Sequence, residues 1–175
     1  MRHMSGVLAL SCCFTYGQQA SQHGSPDMAE TIVERVVQST LRRGESSVSG
    51  YKTSTWVPIA SADRARVMEL KEDAIGPLWR RLDSPIPFVQ LIAVQLLGSI
   101  GGYKCVRPLS IALSAERWVV VRMQALTSLE SAPDAYAIPL IEGRLRDSDK
   151  SVSERAEEIL LEHYGLSPEA ITLLK

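Results

Sequence analysis

Residues 73–165 state one pattern three times, and that repetition restricts the folds open to the chain more than any single motif does. Ala74-Ile75-Gly76-Pro77-Leu78, Cys105-Val106-Arg107-Pro108-Leu109 and Tyr136-Ala137-Ile138-Pro139-Leu140 align, with prolines at 77, 108 and 139, two equal steps of 31 residues. A second series keeps nearly the same step. Val89, Val121 and Val152 each stand four residues before an alanine, Ala93, Ala125 and Ala156, and Leu97, Leu129 and Leu160 follow by four more. Two independent series sharing one period mark a supersecondary unit that is stacked on copies of itself, which is the sequence signature of a solenoid.

Helical spacing assigns two helices to each unit. The first helices run over about 73–82, 104–113 and 134–145, and the second over about 87–100, 118–131 and 151–164. Gly101-Gly102 and Gly165 end second helices in the left-handed position that glycine tolerates best. Each pair carries an apolar stripe that it cannot bury alone. Stacking would bury a continuous core containing Leu78, Leu82, Leu109, Leu113 and Leu140 beside the valine, alanine and leucine series, with the alanines allowing close helix approach. The low aromatic content, 6% against 45% apolar residues, suits Leu/Val/Ala helix packing better than an aromatic-rich sandwich.

The flanks read differently. Asp27–Arg43 is an amphipathic helix with Ile32, Val33, Val36, Val37 and Leu41 on one face, and it is expected to cap the stack. Residues 44–57 form a polar loop holding Tyr51 and Trp56, which either pin the loop onto the helices or belong to a binding edge. Residues 58–71 make a degenerate repeat, 73–101, 104–131 and 134–165 are the clear repeats, and 168–174 is a C-terminal cap. Residues 1–24 carry Arg2 and His3, then the apolar run Val7–Phe14, then a polar stretch. This is the layout of an export signal, with Cys12 in a lipobox-like Ala9-Leu10-Ser11-Cys12; the other reading is a disordered tail of a cytoplasmic protein. A membrane would be met only through such an N-terminal lipid anchor.

A proline in the first helix and a Val-x-x-x-Ala-x-x-x-Leu second helix resemble HEAT-like repeats, in the short form first described in phycobilisome lyases. That form opens its second helix with Val-Arg, matched by Val121-Arg122, while Val89-Gln90 and Val152-Ser153 keep the valine alone. An acid precedes the helix at Asp83, at Glu116, and at Asp147 or Asp149, and Leu97-Gly98-Ser99-Ile100-Gly101 reproduces the usual ending. The resemblance covers about 70–165. It implies an all-α fold, a short α-solenoid of HEAT-like helical hairpins in a right-handed superhelical stack, and it does not select a function.

Catalytic motifs are absent: no G-x-G-x-x-G, no phosphate-binding loop and no G-x-S-x-G occur. No His-Glu dipeptide of the HEAT-like di-iron hydroxylases is present. His163 is expected to serve as a dipole partner at a helix C-terminus, and Cys105 as a buried small hydrophobe. The arginines at 80, 81, 107, 117, 122, 144 and 146 are interleaved with acids in a chain of formal net charge −1, which points to a salt-bridged surface and not to nucleic acid. No cofactor or metal is expected. The reading that follows is a non-enzymatic scaffold or adaptor for an unidentified partner protein, with inhibitor or immunity protein as one form of that role. A HEAT-like accessory enzyme, bilin-lyase-like or DNA-glycosylase-like, is the alternative.

The partner-binding face is expected on the concave side, lined by the second helices. Positions one, two, five or six after each anchoring valine should point away from the core: Gln90 and Gln95, then Arg122, Met123 and Thr127, then Ser153, Glu154 and Glu158. Arg117 and Trp118 sit at the rim. Arg122 and Trp118 are the preferred contacts, since Arg and Trp dominate interface energetics, although Trp118 packed between repeats is equally consistent with the pattern.

Overall fold

The structure, a computed structural model, describes residues 26–45 and 59–175. The leader-like stretch 1–24 with Cys12, and Tyr51 and Trp56 of the 44–57 segment, lie outside the described residues. Within them every regular element is helical: α1 (Pro26–Glu45), α2 (Ser61–Leu70), α3 (Ile75–Arg81), α4 (Pro87–Ile100), α5 (Tyr103–Ala112), α6 (Val119–Leu129), α7 (Asp134–Glu142), α8 (Lys150–Glu162) and α9 (Pro168–Leu174). The protein is all-α. α1 continues to Glu45 and does not stop at the expected Arg43.

The helices pack in two rows. α4, α6 and α8 touch in succession, α3, α5 and α7 do the same, and each member of one row packs on its sequence neighbour in the other. α2 lies beside α4, α1 covers α3 and α4, and α9 closes on α8. α4 is the centre. Its 14 residues carry no charge, and Val89 through Leu97 are buried without interruption, as expected of a helix covered on most sides. Every member of the valine, alanine and leucine series is buried, as are Leu78, Leu82, Leu109 and Leu113. Truncating one of these leucines to alanine typically costs about 2–5 kcal/mol.

Local chemistry fixes the joints. Asp149 caps α8 by accepting from the Ser151 N–H at 2.9 Å, and Ser167 caps α9 by accepting from the Ala170 N–H at 3.2 Å. Gly101, with φ +67°, terminates α4, and the Gly102 N–H bonds the Ser131 carbonyl one repeat on, at 3.2 Å. Ser128 and Ser131 of the α6 end donate to the Val94 and Gly98 carbonyls at 3.1 and 2.7 Å, stitching α6 to α4. Arg117 donates to the Leu82 carbonyl and Arg144 to the Leu113 carbonyl. Each guanidinium therefore satisfies the carbonyl end of a first helix, α3 or α5, which would otherwise lack a partner.

The three prolines are not equivalent in place. Pro77 lies in the first turn of α3, whereas Pro108 and Pro139 stand inside α5 and α7. A proline has no N–H, so the carbonyls four residues earlier, those of Lys104 and Ala135, lose their helical donors.

Candidate functional site

The structure corrects the expected second-helix face. Gln90, Gln95 and Arg122 are buried, with 5%, 6% and 4% of their surface exposed. Gln90 donates to the Ser84 carbonyl at 2.6 Å. Arg122 reaches inward to Asp147 and to the Arg117 carbonyl. The reason is positional. α4 and α6 stand in the middle of a row, so a neighbour covers each flank as well as the face toward the other row, and the open strip is narrower than a single helix pair suggests. α8, at the end of the row, leaves Glu154 and Glu158 exposed and Ser153 half-buried.

Met123 packs against the core, and Thr127 is exposed, its hydroxyl taking hydrogen bonds from Arg155, which also pairs with Glu130 and Glu158. Arg117 is held by the Leu82 carbonyl and by Asp83. Trp118 stands just before α6 and is 60% exposed, so it does not wedge between repeats. Strip residues thus reach solvent at Trp118, Thr127, Glu154 and Glu158, with Arg155 bridging Thr127 and Glu158.

Three aromatic residues instead converge on the other row. Tyr103 and Tyr136, at the starts of α5 and α7, stack with ring centroids 4.9 Å apart and planes tilted by 58°. They are 63% and 49% exposed. The Arg107 guanidinium lies 5.3 Å from the centre of the Trp79 ring on α3, a cation–π arrangement. Between them runs an open groove of about 570 Å³, floored by Val106, Pro139 and Leu140. Two cations, Lys104 and Arg107, line it, and no carboxylate does. Lys104 pairs with Glu72, while Arg107 makes no ion pair among the described residues. Lys104 and Ala135, whose carbonyls the prolines deprive of helical donors, both line the same groove.

The sequence held a signal for this site. Trp79, Tyr103 and Tyr136 all fall on first helices, close to the repeating prolines.

Cys105 is fully buried, and burial, with a smaller push from Glu72, raises its thiol to about 11. His163 packs edge-on against Tyr164 with Glu130 at 4.0 Å. Among the described residues no three His, Cys, Asp or Glu side chains are grouped to hold a metal ion, and no helix is long and apolar enough to cross a membrane. Arg80, Arg81 and Arg144 are tied up in ion pairs or carbonyl caps. No family model matches the sequence, and no curated protein is similar enough to it to count as a relative.

Proposed function

We propose that the chain is a protein-interaction scaffold, a short α-solenoid of HEAT-like helical hairpins in a right-handed stack that holds a partner protein by surface complementarity. The observation that carries this reading is the groove across α3, α5 and α7. Trp, Tyr and Arg are the side chains that most often anchor interfaces, and here Trp79, Tyr103, Tyr136 and Arg107 meet on one open surface. The Tyr103 and Tyr136 rings are left largely exposed among the described residues, and a partner would remove them from water. The two-row packing supports the solenoid reading: α3–α4, α5–α6 and α7–α8 pack as pairs, and each pair packs on the next, while the prolines recur at a step of 31 residues. An inhibitor or immunity protein would use such a surface in this way.

The test is a paired affinity capture from the native extract, wild type beside Tyr103→Ala/Tyr136→Ala. Both rings are substantially exposed, so the double variant should unfold at the wild-type denaturant midpoint. A stoichiometric protein held by wild type and lost by the variant is the expected result. Equal capture by both would remove the groove from the function, and recovery of a pigment or of nucleic acid in place of a protein would overturn the scaffold.

A further inference from the structure

We infer that the groove takes an extended peptide segment carrying an acidic side chain, an inference that rests on the scaffold reading above. Three features of the surface specify such a ligand. The first is charge. Arg107 lines the groove with no carboxylate among the described residues to pair with it, whereas Lys104, the other cation there, is already paired with Glu72, so the unpaired positive charge is that of Arg107. Stacked on Trp79, its guanidinium keeps its N–H edge available, and a carboxylate is the anion that meets that edge with two parallel hydrogen bonds.

The second feature is the pair of backbone acceptors. Pro108 and Pro139 leave the Lys104 and Ala135 carbonyls without their helical donors, on two neighbouring helices and at the same register of the repeat. A ligand that supplies N–H groups answers them. An extended peptide has such groups free at every second residue, whereas a helical peptide has spent most of its own internally. Single-stranded nucleic acid would also stack on Trp79, Tyr103 and Tyr136. Its phosphates offer no donor to a carbonyl, however, and one unpaired cation makes a poor backbone track. The third feature is size: about 570 Å³ lies within the ~300–1,000 Å³ of small-ligand sites, enough for a short segment and not for a folded domain.

The experiment uses the full chain and four fluorescein-labelled probes followed by anisotropy. These are a pool of octapeptides with Glu fixed at the fourth position among Pro, Leu and Tyr; the same pool with Gln in place of Glu; the Glu pool N-methylated on the backbone at either side of Glu; and a dodecamer of deoxythymidine. The Glu pool should bind about tenfold or more tightly than the Gln pool, as expected for one charge-assisted contact. Arg107→Gln should erase that preference, and N-methylation should weaken binding several-fold. Equal binding of the Glu and Gln pools, indifference to N-methylation, or preference for the oligonucleotide would each overturn the inference. If those outcomes appear while Tyr103→Ala/Tyr136→Ala still releases the captured protein, the peptide class falls and the scaffold stands. If the double variant also keeps the captured protein, both fall.

Discussion

Arg122 Nη2 lies 2.7 Å from Asp147 Oδ1, with 4% and 1% of the two side chains exposed. The pair ties the first turn of α6 to the turn before α8, 25 residues later. The same guanidinium donates to the Arg117 carbonyl at 2.6 Å, and Asp147 Oδ1 also accepts from the Asp149 N–H at 3.0 Å. The arginine after the anchoring valine and the acid ahead of the following second helix are thus two halves of one joint between repeats.

Breaking that joint from one side should be costly. Asp147→Ala leaves a guanidinium buried without its anion, and the expected loss is about 3–5 kcal/mol. Arg122→Met with Asp147→Leu removes both charges at once and should cost far less. Urea unfolding at unchanged slope reads the difference as a shift of midpoint. A single variant with the wild-type midpoint would mean that water reaches the pair.

Most of the helices were legible because their signals are local or periodic. The spacing of Val89, Ala93 and Leu97 and of its two copies depends only on the helix turn, and every member is buried. The Ser167 cap needs only its own neighbours. Arg122 was misread for a reason that no single repeat contains. Its burial depends on Asp147 arriving from the next unit and on α6 having neighbours on both flanks. The groove was missed for a related reason. Tyr103 and Tyr136 are 33 residues apart in a 31-residue repeat, so no alignment of equivalent positions puts the two rings together. They meet because one helix lies beside the next. Periodicity reports which face is covered, and says little about which side chains pair across the stacking direction.

Gly98 should resist replacement. A Cβ there would stand 2.5 Å from Ser128 Oγ and 3.0 Å from Ser128 Cα, closer than α4 and α6 allow without a shift. Helix propensity alone favours Gly98→Ala by about 1 kcal/mol, but the overpacking should dominate and give a net loss of about 1–3 kcal/mol. Because the obstacle is one named residue, Ser128→Gly in the same chain should recover part of the loss, and a double-mutant cycle measures the coupling. Strict additivity of the two changes would show that the helices are not in contact there.

Asp63 links stability to acid pH. Burial alone would raise its pKa, but hydrogen bonds from Arg43 and Ser39, with the charges of Arg43 and Arg66, outweigh it and hold the carboxyl below its ordinary value. A lowered folded pKa means stabilisation that is fully present above the unfolded value of about 3.9 and is lost as pH falls through the folded one. Asp63→Asn should therefore cost about 1–3 kcal/mol at pH 7, and its deficit against wild type should shrink as the pH is lowered below 4. Glu30, held down mainly by its hydrogen bond from Arg80, titrates in the same direction and remains in both proteins. A deficit that stays constant from pH 7 to pH 3 would remove Asp63 from the linkage.

Cys105 should be silent until the chain unfolds. Its side chain is fully buried in α5 and its thiol is raised to about 11, so at pH 8 the folded protein holds almost no thiolate at this position and no path to it. Iodoacetamide applied to the native chain should leave the tryptic peptide containing Cys105 unmodified, while the same treatment in concentrated guanidinium should alkylate it completely. Cys105→Ala is expected to cost about 1 kcal/mol, because it removes only the sulfur atom from a fully buried site. Equal alkylation rates in native and denaturing buffer would show that α5 is not packed against its neighbours, and with it the groove that α5 shares with α3 and α7 would lose its floor.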